Sequence, residues 1–394
     1  MTAETLPAAA SADRLSDMLH RCGALKNGSV SNVAVDSSRA TILSRITRLR
    51  LSYAEGTSGA PSTLILKTAL PERIGSPNWD AGRQEVAFYD NVAAKMPDGL
   101  VPRCFEAEWE ADTRAWHLLL EDLTDSHEIA TAWPLPPSTE QCERVVCARA
   151  RLHAQWWDDA RLGTTVGAWL PTGDSQLEAF SVVVTRFFDR VGDLLPSHRR
   201  DLYRRLIDRG PELNKRYHSH RDMTIVQGDA HYCLLPKDCG DDIRFFDWDC
   251  WRIDVGTDDL AYMIALHWYP DRRNILERPL LDLYHATLTA CGVTGYDRRS
   301  LEADYRLSVL WQIATPVWQS NANIPPVIWW NNLERIMLAA VDDSAALRQD
   351  EAGRIDSRLV LEGAGFALQR HRRERGQPPP PPQQWRPPLK PHAA

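Results

Sequence analysis

The residues best placed to do chemistry stand in one short stretch: Ile225-Val226-Gln227-Gly228-Asp229-Ala230-His231-Tyr232-Cys233-Leu234-Leu235. After a polar turn, Lys237 to Asp242, comes Ile243-Arg244-Phe245-Phe246-Asp247-Trp248-Asp249. The first apolar run ends at Gly228, where a residue without Cβ can turn the chain, and the carboxyl of Asp229 and the imidazole of His231 follow in the loop. The second run delivers Asp247 and Asp249 to the same neighbourhood. Two carboxylates at neighbouring strand ends, one to accept a proton and one to ligate Mg2+, are what phosphoryl transfer to a hydroxyl requires. Each residue also has a plainer reading. Aspartates close hairpins, and His231 is either a loop-packing side chain or a proton shuttle near neutral pH.

The elements that must position these groups follow from periodicity. Residues Ile42 to Leu70 alternate as a hairpin, with Ile46, Leu49, Leu51 and Tyr53 before a Gly/Ser/Pro break and Leu64, Ile65 and Leu66 after it. Gly82 to Lys95 has helical spacing, and Trp116 to Leu120 returns to a strand. From Thr139 to Trp157 the period is that of a helix, with Val145, Ala148, Leu152 and Trp156 on one face. Further helices are expected at about 175–220, 258–268, 275–290, 298–318 and 331–348, interrupted by one short β region from Thr224 to Asp249. A β-rich first third and a helical remainder predict an α+β chain with two lobes. The expected division is a leader at 1–20, a small N-lobe at 21–125, a mainly helical C-lobe at 126–375 and a Pro-rich tail at 376–394. Five consecutive prolines at Pro378 to Pro382 favour polyproline II there.

Composition narrows the partners. The 394 residues carry a formal net charge of -7 and a pI near 6.0, which gives no footprint for nucleic acid or an anionic membrane surface. Eight cysteines occur without a Cys-x-x-Cys pair, which argues against a zinc centre. No run approaches the roughly 18 apolar residues of a membrane span, and Met1 to Arg14 lacks a basic n-region, so a cytoplasmic location is expected.

The catalytic stretch resembles the loop of the choline/aminoglycoside/ecdysteroid kinase-like superfamily, His-Gly-Asp-x-His-x-x-Asn followed by Ile-Asp-Trp. Trp251-Arg252-Ile253, Gly256-Thr257-Asp258-Asp259-Leu260-Ala261 and Leu152-His153-Ala154 with Trp156-Trp157 are similar to its ecdysteroid-kinase-like branch. The resemblance implies a protein-kinase-like two-lobed fold, with ATP and Mg2+ in the cleft. It also implies Asp229 as catalytic base, Asp247 as metal ligand with Asp249 in support, and Lys67 on the nucleotide phosphates with Glu85 as its ion-pair partner. Leu120-Glu121-Asp122-Leu123 matches the hinge that meets adenine, placing Glu121 and Leu123 at the nucleotide. An aspartate such as Asp258 or Asp259 would brace the loop; by itself either reads as a first-turn helix carboxylate.

Three positions depart from that pattern. Gln227 stands where the family has histidine, Leu234 where it has the metal-binding asparagine, and Ser37 to Ser44 where it has a glycine-bearing phosphate loop. Leucine has no lone pair for a metal, and serine hydroxyls such as that of Ser44 are the donors left to a loop without glycine. Three functions therefore stay open: a phosphotransferase acting on a small-molecule hydroxyl, a kinase-fold enzyme using Asp229 and His231 for ATP-independent acid/base chemistry, and a non-catalytic binding module. Trp268, Tyr269, Trp311, Trp318, Trp329 and Trp330 are candidate core residues, some of which could line a pocket for a bulky or hydrophobic acceptor.

Overall fold

The computed structural model describes residues 7–343 apart from 56, 58, 72–80, 98, 131–134, 232 and 239. The Pro-rich tail and Cys239 lie outside the described residues. Strand-type alternation builds the first lobe. Strands β1 (Val30–Ala40), β2 (Ser44–Tyr53), β3 (Thr63–Ala69), β4 (Cys104–Trp109) and β5 (Trp116–Glu121) form an antiparallel sheet in the order β1-β2-β3-β5-β4. Because side chains alternate between faces, Leu49, Leu51, Leu64, Leu66 and Leu119 share one buried cluster, while Ile46, Arg48, Ile65 and Lys67 face the opposite way, into the cleft.

The covering helix for that cluster is an addition to the sequence reading. Residues 1–20 were expected to be a leader, yet α1 (Ala12–Arg21) is a helix capped by Ser11, and its Leu15, Met18 and Leu19 are fully buried with the sheet leucines. The i, i+3, i+4 spacing of those three residues is the signal that the Ala/Ser-rich start obscured. On the sheet, β1 and β4 add to the strands that periodicity reveals: β1 is a mostly exposed edge strand of largely polar residues, so its alternation carries little hydrophobic contrast. Helix α2 (Ala81–Asn91) packs against β4 and β5 and carries Glu85.

The second lobe is helical, as expected. It comprises α3 (Thr139–Trp156), α4 (Asp174–Val191), α5 (Ser197–Asn214), α6 (Thr257–Ile264), α7 (Pro270–Ala290), α8 (Arg298–Gln312), α9 (Ala314–Asn321) and α10 (Pro326–Asp343). The start of α3 is fixed by a capping box, in which Gln141 N donates to Ser138 Oγ at 3.2 Å and Ser138 N donates to Gln141 Oε1 at 2.8 Å. Helix α3 packs on α7, α6 on α8, and α4 on both α5 and α9. Among the described residues no helix is long and apolar enough to cross a membrane.

Between α5 and α6 the chain makes the expected β region out of very short strands. Strand β7 (Thr224–Val226) pairs with β10 (Arg252–Asp254), and β8 (Cys233–Pro236) lies between β6 (His127–Ile129) and β9 (Arg244–Phe245). Three-residue strands such as β6 and β10 are too short for period-2 alternation to reveal. The β region docks on the N-lobe through α2: Gln84 Nε2 donates to Trp251 O and Trp251 Nε1 donates to Gln84 O, both at 2.7 Å. Beside them the buried rings of Phe88 and Trp248 stack at 3.9 Å.

Candidate active site

Gly228 explains why the loop can turn where it does. Its φ is +82°, and a Cβ there would lie 2.3 Å from Cys250 O, so any side chain would be both strained and in collision. The turn is then clamped from below by Asp259, the fully buried third residue of α6. Asp259 Oδ2 accepts Gln227 N at 3.0 Å and Oδ1 accepts Gly228 N at 2.9 Å. Arg149 on α3 donates to Asp259, and also to Gln227 Oε1 and Ala230 O, each at 3.0 Å.

His153 completes the clamp. Its Nε2 lies 3.2 Å from Asp259 Oδ2 and its Nδ1 lies 2.7 Å from the Tyr284 hydroxyl. Burial lowers the His153 pKa despite Asp259, so the ring is neutral; these partners assign the proton to Nε2 and leave Nδ1 to accept from Tyr284. Burial alone would raise the Asp259 pKa, but the Arg149 charge, the His153 hydrogen bond and the Gln227 amide outweigh it and hold the carboxyl well below the usual range. The first-turn carboxylate of α6 thus serves the loop rather than its own helix. Gln227, which departs from the family histidine, still satisfies its site by donating Nε2 to Phe246 O at 2.6 Å.

At the top of the turn, Asp229 Oδ1 lies 2.9 Å from His231 Nδ1. Burial raises the Asp229 pKa, but the charge and hydrogen bond of His231 and the Tyr262 hydroxyl outweigh it, and the group stays ionised. His231 stacks on Tyr262 and lies 4.8 Å, ring to ring, from His267. His267, in the turn that follows α6, carries no local sequence signal, being a lone histidine after an apolar run. Burial, and then the charge of His231, push its pKa down to about 3.

Asp247 arrives from the other side. Its φ is +68°, a conformation uncommon for a side-chain-bearing residue and characteristic of strained functional positions. Its Oδ1 accepts from Lys67 Nζ at 2.6 Å, and the same ammonium lies 2.9 and 2.6 Å from the two oxygens of Glu85. Lys67 is 8% exposed and Glu85 1%, so this three-residue bridge joins β3, α2 and the β region inside the protein. Burial lowers the Lys67 pKa, but Asp247, Glu85 and Asp249 together hold it above the ordinary lysine value. At Asp249, burial, then the charge of Asp247, raise the pKa well above that of an ordinary carboxyl, and among the described residues its Oδ1 is buried without a hydrogen-bond partner.

One cleft of about 1590 Å3 runs from the β1–β2 hairpin past Lys67, Asp229, His231, Asp247 and Asp249 to α4, α8 and α9. Leu234 lines it at the position of the missing asparagine, as do Glu121, Leu123 and Ser44. The Glu121 carboxylate is committed to the fold, accepting Arg103 N at 2.8 Å and Arg244 Nη1 at 3.0 Å. The Ser44 hydroxyl lies 3.1 Å from that of Thr41. Of the aromatic residues singled out, Trp311 and Trp318 line the cleft, whereas Trp268 and Trp329 are buried in the core.

This architecture can be compared with solved structures. A Ralstonia eutropha protein assigned to the aminoglycoside phosphotransferases superposes with a TM-score of 0.51 at 12% identity, covering 86% of this chain and 100% of that one. The chain has the two-lobed fold of the aminoglycoside phosphotransferases. Two further phosphotransferases match at lower scores: the streptomycin–ATP–APH(2″)-IIa ternary complex (TM-score 0.49, 9% identity, 86% and 99% covered) and ADP-bound APH(2″)-Ib (0.46, 9%, 78% and 93%). No family model and no curated protein sequence matches. The phosphotransferase fold accounts for the α+β, two-lobed reading, and within it the dispersed residues Lys67, Glu85, Asp229 and Asp247 converge on one cleft.

Proposed function

We propose that the chain is an ATP- and Mg2+-dependent phosphotransferase acting on a hydroxyl of a small organic molecule. The observation that carries this reading is the Lys67 ammonium held between Glu85 and Asp247 at 2.6–2.9 Å. A buried lysine oriented by one carboxylate and adjacent to a second, at the mouth of a deep cleft, is arranged to meet phosphate oxygens. Asp229, ionised and beside His231, accepts the proton of the acceptor hydroxyl. As that O–H bond breaks, the acceptor oxygen bonds to the γ-phosphorus and the bond to the β-phosphate oxygen breaks, leaving a phosphorylated acceptor and a nucleoside diphosphate.

The residues fit a magnesium ion. Asp247 and Asp249 would hold it, because Asp249 Oδ1 is orphaned and the mutual repulsion of these carboxylates is relieved by a divalent cation. Leu234 contributes no ligand. The ion supplies neutralisation of charge on the transferring phosphoryl group. With the Glu121 carboxylate committed to Arg103 and Arg244, Glu121 N to Arg103 O and Leu123 O to His127 N, the nucleotide base would meet the other backbone groups of the 120–123 segment.

The acceptor end of the cleft favours a bulky, largely apolar molecule. Phe180, Trp311 and Trp318 line it, and Trp318 is 47% exposed. Arg252 donates to Asp254 at 3.0 Å and also to Asp258, and Gln312 Nε2 donates to Asp258 at 2.9 Å, so both carboxylates already have partners within the protein. Calorimetric titration with Mg-ATP, followed by ATP consumption with a panel of hydroxyl compounds, tests the proposal; no nucleotide binding at millimolar concentration sinks it. The close Asp229–His231 pair supports a second reading, acid/base chemistry without ATP. That reading requires turnover in the absence of nucleotide that Asp229→Asn abolishes.

A further inference from the structure

A loop that binds phosphate through its main chain must leave its amides unpaired. The β1–β2 turn spends most of its amides on itself. Thr41 N donates to Ser44 O at 2.7 Å, while Leu43 N and Ser44 N donate to Thr41 Oγ1 at 3.3 and 3.0 Å. Two of the three serine hydroxyls on this segment are occupied as well: Ser38 Oγ lies 3.2 Å from Thr47 Oγ1 and accepts Arg45 Nη1 at 3.3 Å, and Ser44 Oγ meets Thr41, which leaves the neutral hydroxyl of Ser37. With the Thr41, Leu43 and Ser44 amides engaged, the turn offers a triphosphate little beyond Ile42 N and the Ser37 hydroxyl, and no charge.

The strand register shows what remains. Arg39 on β1 pairs with Ile46 on β2, which pairs with Lys67 on β3, and all three line the cleft. Two strand spacings separate Arg39 from Lys67, about 10 Å between their Cα atoms, so two long cationic side chains flank the same space from opposite sides. The neighbouring cation on this face, Arg48, is committed to Asp122 at 2.5 Å and Asp125 at 2.8 Å. Among the described residues Arg39 has no ion-pair partner.

We propose that Arg39 is the residue that positions the nucleotide's phosphates, its guanidinium replacing the main-chain amides of a glycine-bearing loop. This assignment rests on the reading of the cleft as a nucleotide site. A guanidinium can take two phosphate oxygens at once, which a lysine ammonium cannot match geometrically.

The test uses the full chain and its Arg39→Ala and Arg39→Lys variants, titrated with Mg-ATP, AMP and adenosine. Arg39→Ala is expected to weaken Mg-ATP about tenfold or more, as loss of a charge-assisted contact does. Adenosine binding stays unchanged, and Arg39→Lys recovers only part of the loss. Unaltered Mg-ATP affinity in Arg39→Ala, or an equal loss for adenosine, overturns the assignment while leaving the nucleotide reading intact. Failure of the unmodified chain to bind Mg-ATP overturns the nucleotide reading, and this assignment with it.

Discussion

The carboxylate of Asp259 accepts the backbone N–H of Gly228 at 2.9 Å, tying the first turn of α6 to the glycine that turns the 227–231 loop. The same carboxylate neutralises Arg149, which is completely buried, so its removal strands a charge as well as two amides. Asp259→Asn is expected to cost about 3–5 kcal/mol at neutral pH. Because the folded pKa of Asp259 lies below its unfolded value, its contribution is present above about pH 4 and is lost as pH falls through the folded value. The gap between wild type and variant in chemical denaturation therefore narrows toward low pH; a gap independent of pH down to the acid transition contradicts the ion-pair account.

His267 also lowers stability as the pH falls, but over a higher range. Its pKa falls to about 3 in the folded protein against about 6.5 unfolded. The unfolded state therefore binds the proton between those values, and stability falls as pH drops from about 6.5 toward 3. His267→Asn removes this term. Its melting temperature should decline less than that of wild type between pH 7 and pH 4, measured by thermal unfolding.

Lys67→Met leaves Glu85, 1% exposed, without its cation. A loss of about 3 kcal/mol or more is expected, together with loss of Mg-ATP binding. The double variant Lys67→Met, Glu85→Gln should regain part of the stability but none of the binding, which separates the structural role of the lysine from its proposed role at the phosphates.

Gly228→Ala places a Cβ against Cys250 O in a left-handed backbone conformation. Destabilisation by at least about 2 kcal/mol follows from strain and overlap combined. Denaturant midpoints measure it, and a neutral substitution would show that the turn relaxes freely.

Leu234→Asn introduces a donor oxygen at the cleft wall beside the loop. Under the proposed function, the Mg2+ concentration for half-maximal ATP turnover should drop several-fold. No change in the metal dependence would remove position 234 from the ion's surroundings.

Much of this was legible in the chain itself. Gly228 and Asp229 at the end of an apolar run, Asp247 and Asp249 after the next one, and the 3.6-residue periods of α3, α7 and α8 are local properties, so spacing alone exposes them. The helix α1 was hidden by its Ala/Ser-rich surroundings, and β1, β6 and β10 by polar edges or by lengths too short to show a period. What only the tertiary structure decided is pairing over distance. Lys67 and Asp247 are 180 residues apart, and Arg149 meets Asp259 across 110. The role of Asp259 as clamp, the commitment of Glu121 and Ser44 to the fold, and the freedom of Arg39 depend on which groups already have partners. Hydrogen bonds and ion pairs are saturable and directional, so which groups remain available for a ligand is set only once every neighbour is in place.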